Sequence, residues 1–187
     1  LCAVLSRERI TEEVGKTLLS PAPQWVGTMM ESGLLAACGL SGSHDLSWLA
    51  ALPQTAEARW AGLGILLPEL DFAAFRLPAR LVRLCQTARR CWPAPENSLG
   101  WKQLIAAEGA EPARLLGALS QVDTVDEILA SGECVSLRDL AVSGRDFPAL
   151  RGPALGQLLH TLLGHVLQYP ADNRRETLLT LARTLLS

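Results

Sequence analysis

The stretch "GPALGQLLHTLLGHVL", residues 152–167, decides the fold class. Leu155, Leu158, Leu159, Leu162, Leu163, Val166 and Leu167 recur at i, i+3, i+4, i+7, i+8, i+11 and i+12. That spacing draws one broad apolar stripe along a helix. Pro153 suits the first turn, because its fixed φ is helical and its missing N–H is not needed there. Gly156, one turn further in, is harder to explain. A glycine inside a helix costs about 1 kcal/mol relative to alanine. Something is therefore expected to come close to this turn. Close packing of another helix is the simpler use. A ligand is the other, because free amides at a helix N-terminus attract an anion and Arg145 and Arg151 lie nearby in sequence.

The rest of the chain has the same character. Its 187 residues are 49% hydrophobic, enough for a real core. Leucine occurs 37 times against 13 valines and isoleucines together, and aromatics are only 5%. Leucine and alanine favour helices, while β-branched and aromatic residues favour strands. The expectation is an all-α, elongated multi-helix array with no substantial sheet.

Helices are predicted at about 6–20, 24–36 (broken near Gly33), 45–52, 55–67, 78–92, 99–108, 111–120, 123–131 and 173–186, besides the one at 153–167. Ser6 is a suitable N-cap for the first, and Pro78 fits the first turn of the fifth. Ser136 with Asp139 resembles a capping box for a further short helix at 137–141. "WPAPENS", residues 92–98, is the best internal break.

Net charge is −2, but it is unevenly spread. Residues 76–102 carry +5, while 103–137 carry −5. Arg80, Arg83 and Arg90 fall on one side of the predicted helix, with Arg76 just before it and Arg89 beside them. No acid stands at i±4 to pair with them. Arginine forks suit phosphate. The pattern serves equally for an RNA contact and for a solvated face.

Catalytic and metal motifs are sparse. The five cysteines form no C-x-x-C, which leaves reduced thiols in a cytoplasmic protein as the plain reading. No apolar run is long enough to cross a membrane, and no signal peptide is recognisable. "HD" at 44–45 invites a metal phosphohydrolase reading, but no histidine precedes His44, and Asp45 is more simply a helix cap. His160 and His165 point to different sides of one helix. Asp123 and Asp126 suit a helix start. No phosphate-binding P-loop or nucleophile elbow occurs.

Two stretches carry a family resemblance. "LSRERITEEVGKTLLSPAPQWVGTMMESGLLAA" is similar to the neck of bacterial class II CCA-adding tRNA nucleotidyltransferases and their poly(A) polymerase relatives, through Ser6, Glu8, Arg9, Ile10, Glu13, Gly33, Leu34 and Leu35. "LRDLAVSGRDF", followed by "GPALGQLLHTLLGHVLQYPADNRRETLL", resembles the family's tail, through Gly144, Asp146, Gly152, Pro153, Gly156 and Asn173. "FRLPARLVRL" is a weaker match to a body helix. The resemblance implies neck helices at 1–40, a body at 41–97, and body end and tail at 98–187. It implies that the chain holds tRNA by backbone contacts while a head domain, which this chain lacks, uses Mg with CTP or ATP to extend the 3′ end. The chain itself would then need no cofactor, carry no catalytic residue and be inactive alone. Glu8 and Arg9 would brace the nucleotide pocket. Arg76, Arg80, Arg83 and Arg90 would form one RNA contact, and Arg145 and Arg151 another. The acidic 103–137 stretch departs from what a continuous RNA surface needs, and suits the other reading, a non-catalytic helical protein-interaction module derived from the same family. Neither reading involves a membrane.

Overall fold

The computed structural model describes residues 6–186, which are all-α, with no strand among them. Nine α-helices occur among the described residues: α1 (Arg7–Leu18), α2 (Trp25–Glu31), α3 (Ala56–Leu66), α4 (Ala79–Cys91), α5 (Ser98–Glu108), α6 (Ala110–Ser120), α7 (Thr124–Ala130), α8 (Gly152–Gln168) and α9 (Arg175–Leu186). Short 3-10 turns lie between several of them. The chain forms two compact units. The first comprises residues 1–94 and 115–121, and the second 95–114 and 122–187. The first crossing, between Ala94 and Pro95, falls inside the 92–98 segment.

Local chemistry accounts for the helix ends. Ser6 caps α1, with its Oγ accepting the Arg9 N–H at 3.4 Å. Thr55 caps α3 through the Ala58 N–H, and Asn97 caps α5 through the Gly100 N–H. Pro78 stands at the cap of α4, one residue before the helix.

The core of the first unit is built on α3 and α4, which pack together, with α1 against α2 and α3. Leu63, Trp60 and Ala61 of α3 are buried, as are Leu81, Leu84, Cys85 and Ala88 of α4. Gly64 of α3 makes room for Phe72 of the 3-10 turn between α3 and α4: a Cβ there would stand 2.4 Å from Cζ of Phe72. One charged side chain is inside. Arg59 of α3 is 4% exposed. Its Nε donates to the Pro53 carbonyl at 3.1 Å, and its buried Nη1 has no hydrogen-bond partner. In the second unit α5 packs on α7 and α8, and α8 on α9. The apolar stripe of α8 is the expected one, with Leu158, Leu162, Leu163, Val166 and Leu167 all buried.

Three local expectations are corrected. The segment predicted as a helix at 45–52 is a 3-10 turn, Ser47–Ala51, opened by Asp45, whose Oδ1 accepts the Ser47 N–H at 3.0 Å. It stops at Leu52, which is extended before Pro53, as the residue before a proline prefers to be. No helix forms at 137–141. Ser136 Oγ and Asp139 Oδ2 do meet at 2.8 Å. However, Asn173 takes the Asp139 carbonyl at 2.9 Å and the Ala141 N–H at 2.8 Å, the groups a helix would use internally. The third correction concerns Gly156. A Cβ there would meet nothing within 4 Å, so no neighbour requires it to be glycine. The close approach lies at Gly144, where a Cβ would stand 3.0 Å from Cδ2 of Leu155.

Candidate nucleic-acid interface

The first arginine group belongs wholly to the first unit and the second wholly to the second unit. Arg80, Arg83 and Arg90 lie on α4 and are exposed. Arg80 and Arg83, three residues apart, are neighbours on the helix surface. Arg90 is seven residues from Arg83, close to two full turns, so it continues the same side. The opposite side of α4 is held in the core by Leu81, Leu84, Cys85 and Ala88, and this burial is what keeps the arginines facing outward.

Carboxylates missing at i±4 are supplied from other helices. Glu8 of α1 accepts from Arg76 Nε at 3.0 Å, and Glu57 of α3 accepts from Arg80 Nη1 at 3.3 Å. The Arg76 backbone N–H also donates to Thr11 Oγ1 at 3.2 Å, which ties the segment before α4 to α1. Glu8 is held below the usual carboxylate range, first by the backbone N–H it accepts at the start of α1 and then by the Arg76 guanidinium. All four side chains are substantially exposed: 68% for Arg76, 57% for Glu8, 59% for Arg80 and 39% for Glu57. Pairs this wet contribute little and yield readily to a competitor. Arg83 has no ion pair or hydrogen bond from its side chain among the described residues.

Arg89 is in a different situation. Its Nη1 donates to the carbonyls of Pro68 at 3.1 Å and Leu70 at 2.9 Å, and its guanidinium lies 5.2 Å from the Phe72 ring centroid. It fastens the chain after α3 onto α4. Glu8, placed by the resemblance at a nucleotide pocket, is joined to Arg76, while Arg9 on the next position of α1 is exposed.

In the second unit, Arg145 and Arg151 are exposed. Arg145 lies in a 3-10 turn closed by a capping box that sequence reading did not single out: Ser143 Oγ accepts the Arg145 N–H at 3.3 Å, and Asp146 Oδ2 accepts the Ser143 N–H at 2.8 Å. Asp146 also accepts from Arg175 Nη2 at 2.6 Å. Arg151 is the N-cap residue of α8, and its guanidinium donates to the Leu150 carbonyl at 3.0 Å. No side chain caps α8. At the far end of α8 from Arg151, His165 Nε2 and Asp172 Oδ2 are 2.7 Å apart at one edge of an open groove of about 550 Å³, whose other lining includes Glu176, Thr180 and Leu181.

His44, Asp45 and Asp126, from the sparse catalytic and metal motifs, have partners within the fold. His44 Nε2 lies 3.3 Å from the Ser41 carbonyl, and Asp45 is engaged as a cap. Asp126 pairs with Arg114 at 2.7 Å. Among the described residues no group of three or more His, Cys, Asp or Glu side chains is placed to hold a metal ion. Among the same residues, no helix is long and apolar enough to cross a membrane. The four described cysteines, Cys38, Cys85, Cys91 and Cys134, are free thiols. No protein-family model, curated protein or solved structure matches this chain.

Proposed function

We propose that this chain is a tRNA-binding region of a CCA-adding nucleotidyltransferase-like protein. It positions the RNA 3′ end for a head domain that does the chemistry with Mg and CTP or ATP. The observation that carries this reading is the outward-facing arginine series Arg80, Arg83 and Arg90 on α4, with Arg76 before it. It agrees with the neck and tail resemblance at the two ends of the sequence. Contacts from such a surface go to phosphates and to RNA shape, and not to bases. Arg145 and Arg151 would supply a second set from the other unit. Activity resides in the head, so the chain alone binds and does not extend RNA.

Salt-dependent binding tests the proposal. Log affinity for tRNA should fall linearly with log salt, with a slope of about −0.7 to −0.9 per phosphate engaged. Arg83→Glu combined with Arg80→Gln should weaken binding at least tenfold. Arg114→Gln, at a residue already joined to Asp126, should change it less than twofold. Equal losses, or no binding at low salt, would refute the reading.

A second reading has its own supporting observation. Glu8 and Glu57 offset two of the basic side chains, and a surface of paired charges suits a protein partner. In that case the chain is a helical interaction module with no RNA affinity. Capture of a partner that survives nuclease treatment favours the module, and loss on nuclease treatment favours tRNA.

A further inference from the structure

We propose that Glu8 and Glu57 are built-in competitors of the polyanion: Glu57 occupies Arg80 of α4 and Glu8 occupies Arg76 just before it, and phosphate must displace or tolerate them to bind. The inference rests on the tRNA reading and adds the residues that set its affinity.

The geometry favours a maintained device over a chance pairing. Glu8 and Glu57 come from two different helices, α1 and α3, and each meets its own arginine. Both stand in the first turn of their helix, where a carboxylate is favoured by the dipole. Their positions are fixed by tertiary structure. Thr11 accepts the Arg76 backbone N–H, and α3 packs along α4. Neither carboxylate is therefore a free tail that swings into contact. Glu8 engages Nε of Arg76, and Glu57 engages Nη1 of Arg80. A planar guanidinium can offer two parallel N–H bonds to a phosphate, which is a good match. The pairs are exposed and so yield at small cost. In the same series Arg83 carries no such partner among the described residues. The surface thus has one immediately available guanidinium beside one that is held in check. A single small anion, such as chloride or a lone phosphate, engages one site at a time and gains too little to displace both carboxylates. A backbone that presents several phosphates gains at every site at once. The consequence is discrimination by polyanion length.

The test measures equilibrium binding of tRNA to the whole chain at about 100 mM salt, where only short-range pairs persist. Glu57→Gln should tighten binding two- to fivefold. Glu69→Gln removes the same charge from an exposed position of the same unit, and should tighten it by less than 1.5-fold. The Glu57→Gln gain should vanish in an Arg80→Gln background. A second cycle, Glu8→Gln with Arg76→Gln, gives the same readout if the first variant is poorly folded. Equal gains from Glu57→Gln and Glu69→Gln would overturn this inference alone, leaving tRNA binding in place. Absence of tRNA binding by the unaltered chain at low salt would overturn the functional reading and this inference with it.

Discussion

A single asparagine shows how far one side chain can redirect a backbone. Asn173 uses its Oδ1 and Nδ2 to bridge the Ala141 N–H and the Asp139 carbonyl, more than thirty residues earlier in the chain. Asn173→Ala should cost about 1–2 kcal/mol, read as a lower Tm, and Asn173→Asp should cost less because the acceptor survives. Asp146 is the next such residue. Its carboxyl is held below the ordinary aspartate range, first by the Ser143 backbone N–H and then by Arg175. A depressed folded value means that its stabilisation is complete above the unfolded value of about 3.9. It is then lost as pH falls through the lower folded value. The Tm gap between the unaltered chain and Asp146→Asn should accordingly be widest at neutral pH and narrow as the pH falls below the unfolded aspartate value. Cys85 gives a chemical readout of burial. Desolvation is the main cause that pushes its thiol up to about 12, so thiolate is scarce at neutral pH. Iodoacetamide should label the half-buried Cys91 well before Cys85 in the native protein, and mass spectrometry of tryptic peptides checks the order.

At the scale of the element, glycine position decides between packing and freedom. Gly64→Ala drives a methyl into Phe72 and should destabilise by about 1–3 kcal/mol. Gly156→Ala adds a methyl in open space on α8 and should stabilise by up to about 1 kcal/mol. Urea denaturation of the two variants checks the opposite signs. Composition alone does not separate these residues, because the distinction rests on what lies across from each helix. The apolar stripe of α8 and the Ser6 cap of α1 were legible for the opposite reason: both depend only on residues within a few positions of each other. The 3-10 turn Ser47–Ala51 was not, because a few turn-forming residues fit either helix type. The arginine series of α4 was legible as a pattern, but its partners Glu8 and Glu57 were not. They arrive from α1 and α3, and only tertiary packing brings them to Arg76 and Arg80.

For the whole molecule, the order of residues along the chain differs from their grouping in space. The first unit is completed by residues 115–121, which follow a stretch belonging to the second. Leu116 and Leu119 there are buried, and Gln121 donates to the Ala51 carbonyl at 3.0 Å. A fragment ending at 94 should be less stable than one ending at 121 by about 3–6 kcal/mol, the worth of two buried leucines, as read by urea melts. The all-α class was evident from leucine and alanine content, whereas this return of the chain leaves no mark in composition. One feature of the first unit limits how hot it can run. Arg59 sits in the interior with an N–H group that nothing accepts, and a cation in such a place is disfavoured by its surroundings. A linear apolar side chain of similar length removes that penalty and gives up only the link to Pro53. Arg59→Met should therefore leave a more heat-resistant protein, which marks this site as the chain's untapped reserve of thermal tolerance.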